Sequence, residues 1–288
     1  MFILSNKKIE ALSLKNQYLL HNLVDISKLN KRWDKDKFFE IEIKKSFVRS
    51  ELRYSKVGLE MTNKINEIVK ENKILNECNF FTNIYPMIHL SGDLSEKSHL
   101  HFDQHDDNDI FTCWLTITNN SYNPISLLKF NNKKFKKILT KIPFPDFFLK
   151  KLDPKIGFLN IWDGHNLHRG NLNISGDISC AYQLKFSKKK YIFEFSCKKD
   201  SPINTNMNSN TNDYSHNLKQ FTDLILSLDE ENFKNCKFDN IFYSIENILR
   251  KKFNKKNEKI SFSLSILAQR LMTHGNKFNV HNYEMKVL

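Results

Sequence analysis

A series of short strand-like segments between residues 79 and 197 limits the folds open to this chain more than any other feature. The segments are rich in β-branched and aromatic residues, and loops separate most of them. They cover residues 79–90, 110–118, 125–130, 157–162, 178–186 and 191–197. Because parallel strands need long, usually helical crossover connections, this pattern predicts an antiparallel sandwich or barrel.

The segments on either side of this region have the apolar spacing of amphipathic helices. Residues 7–30 and 56–73 predict helices, whereas the alternation in 38–43 predicts a further strand. A polar, uncharged stretch near residue 205 predicts a linker, and helical spacing returns at 214–228, 231–252 and 258–273. The predicted domains are a mainly β domain with N-terminal helices over 1–200, a linker over 201–213 and a helical C-terminal extension over 214–288.

The chain is basic, with 45 Lys and Arg against 32 Asp and Glu and a formal net charge of +13. Most of this charge is Lys spread through the sequence, whereas nucleic-acid readers use Arg, whose planar guanidinium matches phosphates and base edges. We therefore predict no specific nucleic-acid partner. A positive field does attract anions, which favours an anionic small-molecule substrate.

Three further features predict a cytoplasmic chain without a membrane span. No apolar run approaches the roughly 18 residues that a transmembrane helix needs. The five cysteines form no CxxC pair, which argues against a disulfide framework or a cysteine zinc site. The N-terminus carries its charges after a very short apolar stretch, the reverse of a secretory signal.

Two segments concentrate the residues that could bind a metal. Residues 98–107 contain three His and three Asp, side chains that suit a divalent cation such as Fe(II), Mn(II) or Zn(II). In an extended segment, residues i and i+2 point the same way, so His101 and Asp103 can act together, although His99 and His105 share their parity. The second segment, residues 157–171, is a strand and a turn followed by His165 and His168.

The order of these motifs resembles the phytanoyl-CoA dioxygenase-like branch of the Fe(II)/2-oxoglutarate-dependent oxygenases. The matching elements are the HxD of His101 and Asp103, a strand with Trp114, the glycines and His168 of residues 157–168, and the NxS of residues 173–175. The resemblance covers residues 78–190. It implies a jelly-roll-like double-stranded β-helix core, in a mainly β fold with flanking helices.

The resemblance also implies a function and a set of residue roles. The iron ligands would be His101, Asp103 and His168, and Trp114 would line the pocket of the cosubstrate 2-oxoglutarate. With O2, such an enzyme hydroxylates or otherwise oxidises a C–H bond of a small or carrier-linked metabolite. His165 is an alternative ligand if the turn is shifted.

One departure from the family pattern concerns the arginine that binds the far carboxylate of 2-oxoglutarate. The family usually places it some ten to fifteen residues after the distal His, but residues 177–183 of this chain contain no Arg. On the polar face of strand 178–186, Lys185, assisted by Gln183 or Ser179, is the predicted substitute, because a Lys can anchor a carboxylate as a point charge. The alternatives are Arg169, a different cosubstrate, or an inactive relative.

The remaining candidates surround the predicted metal. His99 and His165, with Arg169, could face the substrate or support the ligands, and Asp163 or Asn171 could orient His168. Two other classes stay open. The HxHxD of residues 99–103 is similar to the motif of metallo-β-lactamase-like zinc hydrolases, although His105 lies one residue too far on. The other is a non-catalytic β-sandwich binding module with a vestigial metal site.

Overall fold

The computed structural model of the protein describes most of the first 188 residues. The described residues are 2–34, 37–82, 84–93, 100–101, 110–118, 125–128, 146–152 and 155–188. Several sequence predictions lie outside them, namely those for His99, Asp103, strand 191–197, the linker and the C-terminal helices. The described residues fall into two compact units: one contains 2–18 and the described part of 56–188, and the other contains 19–34 and 37–55.

Three helices precede the strands, α1 (Lys7–Ser27), α2 (Phe38–Tyr54) and α3 (Lys56–Glu71). Asn6 caps α1, because its side-chain oxygen accepts hydrogen bonds from the backbone N–H groups of Lys8 (2.9 Å) and Ile9 (3.4 Å). In α3 the buried residues Gly58, Met61, Thr62, Ile65 and Val69 follow the helical spacing of a single face. The helices predicted over 7–30 and 56–73 are confirmed.

The strand predicted over residues 38–43 is wrong, because this segment forms the start of α2. Glu42 pairs with Lys45 (3.0 Å) and Arg49 (3.4 Å), and all three side chains are buried. Residues three and seven apart share a helix face but lie on opposite faces of a strand. Six alternating residues are also too few to outweigh a helical pattern that continues to Tyr54.

The strands form two antiparallel sheets. Their bounds are β1 (Phe2–Ser5), β2 (Phe80–Phe81), β3 (Tyr85–His89), β4 (Ile110–Thr116), β5 (Ile125–Leu128), β6 (Leu149–Lys151), β7 (Phe158–Asp163), β8 (His168–Gly170) and β9 (Ser179–Ser187). The larger sheet has the order β1-β7-β4-β9-β2, with β3 also paired to β9, and the smaller sheet has the order β6-β5-β8. The described chain is therefore a mixed fold of helices and antiparallel sheets, and the predicted antiparallel arrangement is confirmed.

An apolar core joins the two sheets. Trp114, Trp162 and Ala181 of the larger sheet form one buried cluster with Ile125 and Leu127 of β5. We call the face of the larger sheet that carries these three side chains the interior face. Because side chains alternate along a strand, the interior face also carries every second residue of β3, β4, β7 and β9.

The opposite face of β9 carries Tyr182, whose hydroxyl donates a 2.7 Å hydrogen bond to the side-chain oxygen of Asn16 in α1. Burial raises the pKa of Tyr182 well above its usual value, so the hydroxyl keeps the proton that it donates. The amide nitrogen of Asn16 is itself bound to the carbonyl oxygen of Leu12 (2.8 Å). The bond therefore ties β9 to the middle of α1.

Tyr182→Phe should lower the free energy of unfolding by about 1–3 kcal/mol, because it leaves a buried amide oxygen without its donor. Tyr18→Phe is the matched control, since Tyr18 is 71 % exposed and surface changes cost within about 0.5 kcal/mol. Equilibrium urea unfolding measures both variants. Equal losses in the two variants would show that the buried hydrogen bond contributes nothing.

Two further features of the described residues concern membranes and thiols. None of the described helices combines the length and the apolar character that a membrane crossing requires. Cys78, Cys113 and Cys180 are buried, and burial raises the pKa of the Cys113 thiol far above its usual value. Such a thiol does not act as a nucleophile at neutral pH.

Candidate metal centre

Two histidines from the two predicted metal-binding segments lie side by side. His101 and His168 form an antiparallel bridge in which each backbone N–H donates to the other residue's carbonyl oxygen at 2.8 Å. Residues opposite each other in such a pair project to the same face. Their ring centroids are 4.3 Å apart and the ring planes are tilted by 52°.

The His168 ring is held in one orientation. It is 3 % exposed, its Nδ1 lies 3.0 Å from the carbonyl oxygen of Asn166, and the Trp162 ring approaches it at 5.5 Å. A carbonyl only accepts, so Nδ1 carries the proton and Nε2 keeps its lone pair for a metal. This is the usual arrangement of a metal-binding histidine.

The residues predicted to orient His168 have other partners. Asp163 Oδ1 accepts from the backbone N–H of His165 (2.8 Å) and lies 3.0 Å from the His165 Nδ1. The Asn171 side chain bonds to Ser126, with Nδ2 2.9 Å from the Ser126 hydroxyl oxygen. Among the described residues the Asn166 carbonyl contacts the His168 ring, and a role for Asp163 or Asn171 in orienting it stays a prediction.

The described residues bring together two of the three predicted metal ligands, His101 and His168. His168 is buried whereas His101 is exposed, so the pair lies at the solvent edge of the smaller sheet. The described residues contain no group of three His, Cys, Asp or Glu side chains that could hold a metal. The carboxylate that would complete the predicted set is Asp103, two residues after His101 and outside the described residues.

Arg169 and Asn171 belong to the other side of the smaller sheet. Arg169 pairs with Ser126, and His168 pairs with Leu127, which belongs to the core between the sheets. Because neighbouring residues of a strand point to opposite faces, Arg169 points away from the side that carries His168. Its contact with the substrate or cosubstrate stays a prediction.

The predicted cosubstrate residues lie along the interior face of β9. Trp114 is opposite Gln183, and Thr112 is opposite Lys185. Ser179 lies six residues from Lys185, about 20 Å along the strand, and its hydroxyl is 3.3 Å from that of Thr118. Ala181 belongs to the core between the sheets, whereas Tyr182 on the opposite face of β9 contacts α1.

Several buried donors on the interior face have no hydrogen-bond acceptor within the part of the chain that the structure describes. They are the indole N–H groups of Trp114 and Trp162 and the hydroxyl of Thr116. A buried donor without a partner costs about 1–3 kcal/mol. An interior face with such donors is suited to an anionic ligand that supplies acceptor oxygens.

The sequence analysis did not identify three residues of the candidate site and the interior face, Thr116, Asn166 and His89. Thr116 shares the parity of Trp114, and this signal could have indicated it. Asn166 acts through its backbone carbonyl, which any residue type supplies. His89 is 1 % exposed and lies opposite Ser179, but the register between β3 and β9 was not readable from the sequence.

Comparison with known proteins identifies no family from sequence. No protein-family model matches the chain, and no curated protein matches it. Three solved structures are each similar to part of this chain. A prolyl-4-hydroxylase from Pseudomonas putida is 12 % identical over 45 % of this chain and 62 % of its own, with a TM-score of 0.31.

The other two structures have comparable scores. EvdO2 from Micromonospora carbonacea var. aurantiaca is 12 % identical over 49 % of this chain and 64 % of its own, with a TM-score of 0.35. The non-heme alpha-ketoglutarate-dependent carbocyclase SnoK from nogalamycin biosynthesis is 11 % identical over 36 % and 49 %, with a TM-score of 0.29. The chain thus spans less than two thirds of each structure, and similarity at this level by itself assigns neither a fold family nor a function.

Proposed function

We propose that this chain is an Fe(II)/2-oxoglutarate-dependent oxygenase. The observation that carries the proposal is the bridged pair of His101 and His168, in which a carbonyl oxygen holds the buried ring so that Nε2 can bind a metal. With Asp103 as the third ligand, these side chains make the two-histidine, one-carboxylate set that leaves coordination positions open on Fe(II).

The chain's own residues would serve this chemistry in three ways. When bound, Fe(II), 2-oxoglutarate and O2 supply the oxidation of a substrate C–H bond. His168 fixes one ligand direction, and the exposed His101 leaves the site accessible from solvent. The donors on the interior face, Trp114 and Trp162 among them, provide hydrogen bonds for the carboxylates of the cosubstrate.

The double-stranded β-helix fold and the branch of the oxygenases are proposals as well. We expect the two antiparallel sheets to be the halves of a double-stranded β-helix, because an apolar core already joins Trp114 and Trp162 of one sheet to Leu127 of the other. We assign the chain to the phytanoyl-CoA dioxygenase-like branch on the order of its HxD, glycine, distal histidine and NxS motifs.

The proposed substrate is a small or carrier-linked metabolite in the cytoplasm. The net charge of +13 favours an anionic one, since a positive surface field raises the local concentration of anions. Because this charge comes from dispersed lysines and not from clustered arginines, it gives no reason to expect a specific nucleic-acid partner.

Anaerobic addition of Fe(II) and then 2-oxoglutarate to the full chain should produce the weak visible charge-transfer band of the chelate. A 2-oxo acid can form this band only when it binds the metal through its oxo and carboxylate oxygens. The control is the same titration with succinate, which lacks the oxo group and should give no band.

Two other results would replace the proposal with the alternatives. Two zinc ions per chain in a metal analysis, without the band, would point to a zinc hydrolase. Absence of both the band and metal binding would point to a binding module with a vestigial site.

A further inference from the structure

Three buried polar side chains from the strands on either side of β9 lie in three consecutive rows of the interior face. Trp114 and Thr116 are neighbours on that face of β4, and His89 ends β3. Each of the three is 1 % exposed, and the rings of His89 and Trp114 are 6.2 Å apart. We call these three residues the interior donor cluster.

The chemistry of the cluster points to an anion. The indole of Trp114 can only donate, and its N–H and the Thr116 hydroxyl have no hydrogen-bond partner within the described residues. A histidine donates from one ring nitrogen when neutral and from both when charged. A carboxylate, which accepts up to about four hydrogen bonds, supplies the acceptor oxygens that the Trp114 and Thr116 donors require, and His89 beside Trp114 can add a further donor.

We infer that the interior donor cluster binds the far carboxylate of 2-oxoglutarate, in place of the arginine that this chain lacks. The inference rests on the proposed function and replaces Lys185 as the anchor. The position of each candidate relative to the metal centre decides between them, because the far carboxylate is separated from the metal-binding end of 2-oxoglutarate by the carbon chain.

Lys185 lies in the same row of the larger sheet as Trp162, whose ring contacts His168. It is opposite Thr112, which is opposite Trp162. Thr116 is opposite Ala181, four residues further along β9, which corresponds to about 13 Å. The cluster therefore lies deeper along the interior face than Lys185, on the side where the far end of the cosubstrate would extend.

The end of β3 that carries His89 is fixed by the NxS motif. The Asn173 side-chain amide donates to the carbonyl oxygens of His89 and Asp177, both at 2.8 Å. Asn173 Oδ1 in turn accepts from the backbone N–H (3.0 Å) and the hydroxyl (2.8 Å) of Ser175. These bonds hold β3 against the loop before β9, so the backbone at His89 is rigid before a ligand binds.

The test compares two ligands that bind the metal in the same way. 2-Oxopentanoate has the five-carbon chain and the oxo acid end of 2-oxoglutarate but not the far carboxylate. Both are titrated anaerobically into the full chain with Fe(II), with the charge-transfer band as the readout of binding. The variants are Thr116→Val, Trp114→Phe and His89→Phe, and Lys185→Met is the matched control.

Each cluster variant should weaken 2-oxoglutarate binding by about tenfold or more, the effect of losing one hydrogen bond to a charged group. Binding of 2-oxopentanoate should stay within about twofold, and Lys185→Met should change neither value. Thermal unfolding confirms that each variant is folded, and Thr116→Val, which keeps the side-chain volume, decides the outcome if His89→Phe does not fold.

Two results would overturn the inference in distinguishable ways. A selective loss of 2-oxoglutarate binding in Lys185→Met, with the cluster variants unchanged, would return the anchor to Lys185 and leave the proposed function intact. If the unmodified chain binds Fe(II) but gives no band with either oxo acid, the proposed function fails, and the inference fails with it.

Discussion

His168→Ala should lower the Fe(II) affinity of the chain by about 100-fold or more, whereas His165→Ala should leave it within about threefold. Loss of a residue that merely supports a ligand already costs 10–100-fold in metal affinity, and His168 is proposed as a ligand itself. Its ring is buried beside His101 and is held by the Asn166 carbonyl. Anaerobic equilibrium dialysis followed by iron analysis measures both affinities.

His165 is a close control, because it has the same side chain and lies three residues away. Its Nδ1 faces Asp163 at 3.0 Å, which gives the ring a partner of its own. The bridge between residues 101 and 168 uses backbone atoms only, so His168→Ala should keep β8 in place. The opposite ranking of the two variants would mean that the turn supplies the ligand through His165.

The larger sheet was the most predictable part of the fold. β4, β7 and β9 are long enough for their composition and alternation to be read, and their mutual pairing brings Trp114, Trp162 and Ala181 into one core. The bridge of His101 with His168 agrees with the expectation that these two distant segments meet. The roles of these side chains in metal binding remain predictions.

The short strands were not predictable, because their pairing rather than their composition defines them. β8 has only three residues, and β6 is equally short and mostly exposed. β1 has four residues and exists through its pairing with β7. A strand of this length buries too few side chains to leave a periodic signal, and its partner becomes known only from the fold.

The error at α2 and the missed role of Asn166 have different physical origins. In α2 the signal was present, since Glu42, Lys45 and Arg49 have helical spacing and oppositely charged side chains, but the apolar alternation at its start dominated the interpretation. No such signal exists for Asn166, because the group that holds His168 is a backbone carbonyl. Side-chain chemistry can be read from a sequence, whereas backbone geometry cannot.

Gly157→Ala should lower the free energy of unfolding by about 2–5 kcal/mol, the largest stability effect that we expect from a single methyl group in this chain. Gly157 has φ +84°, and an added Cβ would lie 2.8 Å from the Cβ and 3.0 Å from the Cα of Glu10 in α1. The left-handed backbone costs an alanine about 1–2 kcal/mol. Forcing β7 away from α1 costs about 1–3 kcal/mol more.

Gly176→Ala separates the two contributions. Gly176 has φ +79°, but an added Cβ would meet nothing within 4 Å, so only the backbone cost of about 1–2 kcal/mol applies. Urea unfolding of both variants measures the difference, which reports the close approach of α1 to the start of β7. Because β7 carries Trp162 against His168, Gly157→Ala should also weaken Fe(II) binding, whereas Gly176→Ala should not. Equal destabilisation of the two variants would show that the contact with Glu10 relaxes without cost.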